Sequence, residues 1–153
     1  MIHYKTGNLV QLAIAGDFDV VIHGCNCFCT MGKGIAKEIA TVWPEAYMAD
    51  RGTKRGDVYK LGTYSYYCNK ALMLKIVNLY TQFNVGAHFE YAAFGLGLRN
   101  LVETLKGDEI IGMPMIGAGL GGGDWNTIEE IIKNELEGFN VTIVKYENKI
   151  NFT

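Results

Sequence analysis

The run Gly24-Cys25-Asn26-Cys27-Phe28-Cys29-Thr30-Met31-Gly32-Lys33-Gly34-Ile35-Ala36 constrains the fold of this chain more than any other stretch. Before it, Asp19-Val20-Val21-Ile22-His23 reads as a buried strand. After it, Ile35, Ile39, Val42 and Ala36, Ala40, Trp43 make two rows at the i, i+4, i+7 spacing of one helix face. A strand that turns through Gly32-Lys33-Gly34 straight into a helix aims backbone N–H groups and the positive end of the helix dipole at one point. Such a point seats an anionic group, usually a phosphate. Lys33 adds a cation beside it, and Asn26 at the strand's end adds a neutral amide that both donates and accepts.

The remaining elements follow in order. Ile2 to Thr6 is a short strand closed by Gly7-Asn8, and Leu9 to Ala15 is a brief apolar helix or turn broken by Gly16-Asp17. A strand over 18–24 leads into the central loop. The helix beyond it runs from Lys33 to Trp43, and Pro44 opens a second helical piece through Ala49. Arg51-Gly52-Thr53-Lys54-Arg55-Gly56-Asp57 is a basic, glycine-rich, solvated turn. Gly62 to Cys68 and Leu72 to Thr81 pair as an antiparallel hairpin about Asn69-Lys70. Phe94, Leu98, Leu101 and Leu105 recur at helical spacing, which predicts a long helix ending at Lys106-Gly107. Gly95 and Gly97 within it cost about 1 kcal/mol each against alanine, so close packing on the sheet is expected there.

Glu109 to Ile116 is a buried strand that runs into Gly117-Ala118-Gly119-Leu120-Gly121-Gly122-Gly123-Asp124-Trp125, a second glycine-rich strand-to-helix turn. Asp124, or Asn126 in a capping box with Glu129, starts a helix whose apolar face is Ile128, Ile131, Ile132 and Leu136. Gly138 ends it, and Val141 to Tyr146 is the last strand. Helices alternating with apolar strands imply an α/β fold, a single three-layer α/β/α sandwich over 1–153. Its central sheet is mostly parallel, and the hairpin makes it mixed. Ligands of such sheets sit at the carboxyl ends of the strands, by which both glycine-rich turns leave, so one ligand can touch both.

Composition narrows the function classes. Nineteen glycines against two prolines point to close backbone approach. A net charge of -2 leaves no basic footprint, which counts against a nucleic-acid partner. No apolar run is long enough for a signal peptide or membrane span; the four cysteines suit a reduced, cytoplasmic protein, and a monomer is expected. Cys25, Cys27 and Cys29 alternate, and an extended chain would put them on one face as small buried apolar groups; Cys68 stands apart. That spacing does not suit zinc, so neither a metal nor a cofactor is expected. Two glycine loops at helix starts suit a ligand with two linked phosphates, although tight packing turns account for the glycines equally well. Neither loop is a Walker A loop or a dinucleotide fingerprint.

Four blocks carry a resemblance: Ile22-His23-Gly24-Cys25-Asn26-Cys27; Met31-Gly32-Lys33-Gly34-Ile35-Ala36; Val77-Asn78-Leu79-Tyr80-Thr81-Gln82; and Met113-Pro114-Met115-Ile116-Gly117-Ala118-Gly119-Leu120-Gly121-Gly122 with Asp124-Trp125. Together they resemble a macro domain over nearly the whole chain. The His-x-Cys-Asn-Cys start resembles the small stand-alone branch that processes ADP-ribose 1''-phosphate. The resemblance implies an ADP-ribose pocket. Gly7, Asn8, Leu9 and Tyr146 would lie near the adenine, and Gly117, Ala118, Gly119, Leu120, Gly121 and Gly122 would bind the diphosphate. Gly32, Lys33, Gly34 and Ile35 would line the distal ribose, with Asn26 on its hydroxyls and Thr81 close by. The implied reaction is hydrolysis of ADP-ribose 1''-phosphate to ADP-ribose and phosphate, with His23 as acid/base or nucleophile, Asn26 positioning the sugar and Asp124 orienting a water or a histidine. His23 reads equally as a core histidine, and Asp124 as a helix cap. Two alternatives remain: a reader that binds ADP-ribose without turnover, and a glycohydrolase that removes it from protein or nucleic acid. Family members of the latter kind use a lysine where this chain has Gln82, or a loop aspartate where it has Gly121.

Overall fold

A computed structural model describes residues 1–147. The elements are β1 (Ile2–Gly7), α1 (Leu9–Ile14), β2 (Val20–Cys25), α2 (Gly34–Val42), α3 (Pro44–Arg51), a 3-10 turn (Val58–Lys60), β3 (Tyr64–Asn69), β4 (Leu74–Tyr80), α4 (Tyr91–Val102), β5 (Ile110–Pro114), α5 (Trp125–Glu135) and β6 (Asn140–Tyr146). One six-stranded sheet has the order β1-β6-β5-β2-β4-β3. Every pairing is parallel except β3 with β4, so the sheet is mixed, as expected.

Both faces of the sheet are covered, which is why its central strands read as near-continuous apolar runs. Side chains alternate across each strand. Val20 and Ile22 of β2 join Val77 and Leu79 of β4 in a core closed by Phe94, Leu98 and Leu101 of α4 and Ile128 and Ile132 of α5. Val21, Leu74 and Ile76 face the other way, toward Leu9, Val10 and Ala13 of α1, Ile39 of α2 and Ala46 of α3. The result is the three-layer sandwich. Its direction of winding reverses between β5 and β2: β5 continues through α5 to β6 on one side, whereas β2 continues through α2, α3 and β3 to β4 on the other. A crevice opens at the carboxyl ends where the two halves part.

Several boundaries differ from the sequence expectation. Helix α4 ends at Val102, short of Lys106, because the Thr104 and Leu105 N–H groups turn back to the Leu101 and Val102 carbonyls at 2.9 and 3.0 Å, an i→i−3 pattern. Asp124 caps α5, so Asn126 lies inside the helix, and Glu129 receives the Tyr4 hydroxyl instead of closing a capping box. The close packing expected of Gly97 is present, since a Cβ there would stand 2.6 Å from Leu79 Cδ1, whereas Gly95 abuts Ile131 of α5 and not the sheet. The alternating cysteines do not share one extended face. Only Cys25 lies in β2, and the chain turns after it, with Cys29 left-handed at φ 57°.

Candidate functional site

Two adjoining cavities follow the carboxyl edge of the sheet. The larger, about 530 Å³, lies between the ends of β2, β4 and β5. The smaller, about 400 Å³, lies over the ends of β1 and β6. Gly34, Ile35 and Pro114 line both, so the two form one groove.

One wall is the turn after β2. Asn26 Oδ1 accepts from the Phe28 N–H at 2.8 Å, and its Nδ2 donates to Thr30 Oγ1 at 2.8 Å, which sets the orientation of the amide. The turn is held from beneath: the Cys27 carbonyl accepts from the Gly56 N–H at 2.7 Å and from Lys60 Nζ at 3.2 Å. Lys60 is buried, at 6% exposure, with its ammonium 4.5 Å from the centre of the Tyr80 ring. The Tyr80 hydroxyl donates to Asp50 Oδ1 at 2.7 Å. Burial raises the pKa of both partners, and Asp50 Oδ2 has no hydrogen-bond partner among the described residues. Burial also pushes the Cys25 thiol well up, so this lining residue presents S–H and not a thiolate.

The floor is the start of α2. Its first-turn N–H groups, those of Gly34, Ile35 and Ala36, precede the first intrahelical bond and have no partner within the helix. All three residues line the larger cavity. The opposite wall is the loop after β5. Gly117 takes φ 78°, and a Cβ on it would collide with the Phe89 ring, so glycine is required there on two counts. Within this loop the N–H groups of Ala118, Gly122 and Gly123 donate to the carbonyls of Met115, Gly119 and Gly117 at 3.2, 3.2 and 2.6 Å. Those of Gly119, Leu120 and Gly121 donate to no carbonyl among the described residues, and all three residues line the cavity. Successive backbone N–H groups left free in a turn can build an anion-binding concavity. Among the described residues Lys33 is the one charged side chain lining this cavity, and it is exposed.

The groove brings together Asn26, Gly32, Lys33, Gly34, Ile35, Thr81, Gly117, Gly119, Leu120 and Gly121 in its larger part, and Gly7, Leu9 and Tyr146 in its smaller part. Asn8 stands behind the smaller part, where it caps α1 and donates to Glu38. Ala118 and Gly122 belong to the loop but line neither cavity. Two of the expected catalysts are elsewhere. His23 has 0% exposure and points to the α3 side of the sheet, with Nε2 2.6 Å from Asn78 Oδ1. Burial lowers its pKa to about 4, so the ring is neutral. Asp124 lines neither cavity, and its Oδ2 caps α5, accepting from the Thr127 N–H at 3.1 Å and the Thr127 hydroxyl at 2.8 Å.

Sequence reasoning missed Glu38, which lines the smaller cavity one turn after Gly34; the i, i+4 spacing held that signal. It also missed the wall made by Gln82, Val85 and Gly86. There Gln82 Nε2 donates to the Asn84 and Gly86 carbonyls, both at 2.8 Å, and ties the loop closed. Among the described residues no group of three His, Cys, Asp or Glu is placed to hold a metal ion, and no helix is long and apolar enough to cross a membrane.

No family model matches the chain. It is 39% identical over 156 residues to an uncharacterized 17.5 kDa protein of Enterobacteria phage T4, from the tk-vs intergenic region, covering 96% of this chain and 97% of that one. It is 30% identical over 135 residues to the DNA ADP-ribosyl glycohydrolase of Mycobacterium tuberculosis, covering 85% of this chain but only 37% of the length of that protein. Among solved structures, the macrodomain of Mycobacterium tuberculosis DarG superposes with a TM-score of 0.76 at 25% identity, covering 94% of this chain and 97% of that one. Thermosipho africanus DarTG in complex with ADP-ribose superposes with a TM-score of 0.72 at 19% identity, covering 88% of this chain and 39% of that one.

Proposed function

The chain belongs to one family with the 17.5 kDa protein of phage T4 and has the macro-domain fold, and on that premise we propose that its groove binds ADP-ribose and that it hydrolyses ADP-ribose 1''-phosphate. The observation that carries this reading is the pairing of three unpartnered N–H groups, on Gly119, Leu120 and Gly121, with the amide-rich start of α2 and Lys33 across the same cavity. Two such cradles fit a diphosphate on one side and a terminal phosphate on the other. The base then lies in the smaller cavity against Leu9, Ile35 and Tyr146, and the distal ribose lies beside Asn26. The relative in complex with ADP-ribose and the glycohydrolase relative support the ligand class.

Hydrolysis of the monoester breaks the bond between phosphorus and the ribose C1'' oxygen. Water supplies the new P–O bond, and a proton from that water ends on the departing sugar hydroxyl. The transition state spreads negative charge over the phosphoryl oxygens, so positioning and electrostatic stabilisation do most of the catalytic work. Lys33 and the first-turn amides of α2 supply the positive charge, and Asn26 orients the sugar. His23 enters only as part of the frame, joining β2 to Asn78 of β4.

A second reading, removal of ADP-ribose from DNA, is favoured by the mycobacterial glycohydrolase relative. Gln82, tied into its own loop, stands against a lysine-dependent form of that chemistry. One experiment separates the readings: the protein is incubated with ADP-ribose 1''-phosphate and with ADP-ribosylated DNA while phosphate and ADP-ribose are followed. Phosphate release that drops at least about tenfold in Lys33→Ala and Asn26→Ala supports the phosphatase. ADP-ribose released from the DNA supports the second reading. Binding without either product leaves a reader and overturns both.

A further inference from the structure

We infer that Gln82 is a positioning residue of the groove: its side-chain amide holds the tip of the loop between β4 and α4 as a wall of the larger cavity, and that wall favours a ligand that continues past its diphosphate over one that ends there; this rests on the nucleotide reading above. Gln82, Val85 and Gly86 line the larger cavity together with Asn26, Thr30 and Lys33. The Gln82 Nε2 donates to the Asn84 and Gly86 carbonyls, both at 2.8 Å. Two acceptors call for the NH2 end of the amide, so its orientation is set. Gly86 takes φ 101°, a conformation open to glycine and strained for other residues.

The base and the tip of this loop are held in different ways. At the base the backbone suffices: Gln82 and Phe89 form an antiparallel bridge, and the Glu90 N–H donates to the Thr81 carbonyl at 2.8 Å. The Phe89 N–H donates to the Gly121 carbonyl at 3.2 Å, and its ring packs on Phe94 and against the glycine-rich loop, where a Cβ on Gly117, Gly121 or Gly123 would meet it. The tip depends on a side chain. Among the described residues, the hydrogen bonds that reach Asn84, Val85 and Gly86 are the two from Gln82 and one from the His88 N–H to the Gly86 carbonyl at 2.9 Å. Phe83 ties the near side of the tip to the Asn26 turn. Its carbonyl accepts from the Cys27 N–H at 3.0 Å, and its ring centre lies 4.9 Å from that of Phe28. Losing the Gln82 amide therefore frees the wall and leaves the glycine-rich loop supported. A wall fixed beforehand spares the ligand the entropy of ordering it, so a freed wall weakens a ligand that reaches it and not one that stops at the glycine-rich loop.

The test is calorimetric titration of the wild-type chain and Gln82→Met with ADP-ribose and with ADP, beside backbone amide NMR relaxation of both proteins without ligand. Methionine keeps the length of the side chain and offers no donor. ADP-ribose is expected to bind Gln82→Met about five- to tenfold more weakly, whereas the affinity for ADP stays within about twofold. Order parameters are expected to fall at Asn84, Val85 and Gly86 and to hold their wild-type values from Gly117 to Gly123. A residue that merely supported the fold would, when replaced, weaken both nucleotides alike and loosen both loops. That result, an ADP-ribose affinity that Gln82→Met does not move, or a tip whose order parameters do not fall overturns this inference alone. A wild-type chain that binds neither nucleotide overturns it together with the nucleotide reading.

Discussion

At His23 the local hydrogen bonds decide the tautomer and burial decides the charge. Asn78 Nδ2 donates to the Ala46 carbonyl at 2.9 Å and Ser65 Oγ at 3.0 Å, so its Oδ1 faces the imidazole and His23 Nε2 carries the hydrogen. Burial disfavours the charged ring, and the bond to Asn78 offsets that only in part, leaving a pKa of about 4. Unfolding returns the ring to a pKa of about 6.5. Between those values the unfolded chain binds the extra proton, so this residue's contribution is fully present above pH 6.5 and is lost as pH falls toward 4. The loss amounts to about 3 kcal/mol. Urea unfolding between pH 7 and pH 4.5 is expected to show this slope in the wild type and a shallower one in His23→Gln, which keeps a donor for Asn78 without a titrating ring. Equal slopes would remove the assignment. The sequence displayed His23 plainly as an ionisable residue before an asparagine-bearing turn. Which face of the sheet it occupies depends on register against β4, and that is a long-range pairing.

At the level of elements, the second glycine-rich turn does two separable jobs. Its last residue caps α5, and its middle offers free N–H groups to the groove. Asp124→Ala is therefore expected to cost about 1 kcal/mol of stability while ADP-ribose affinity stays within about twofold. An affinity loss of tenfold or more in that variant would return Asp124 to the site. Gly117→Ala puts a Cβ at φ 78° against the Phe89 ring, so about 1–3 kcal/mol of stability is expected to go. The displaced loop should also bind ADP-ribose at least about tenfold more weakly, a fall that denaturant unfolding and calorimetry would show together. The glycine content of the turn was legible in the chain. The division of labour within it was not, because a glycine required by φ, one required by a neighbouring ring and one that presents its N–H look alike in sequence.

For the whole molecule, ligand and fold are linked, since the groove is built from the ends of β1, β2, β4, β5 and β6 and exists only when they pair. ADP-ribose at about 100 times its Kd is expected to add about 2.7 kcal/mol of stability. For a chain of this length that raises Tm by roughly 5–11 °C, and a shift below about 1 °C would contradict the nucleotide reading. Helical spacing, strand alternation and glycine position are local properties, and they were enough to determine the α/β class, the order of the elements and the place of the two glycine-rich strand-to-helix turns. Tertiary structure decided the rest. It set the strand order that places those turns on one groove, turned His23 inward to Asn78, and brought Glu38 against Asn8 across thirty residues of chain. Backbone periodicity is written within a few residues of itself, whereas the surroundings of a side chain are set by segments that meet only when the sheet closes.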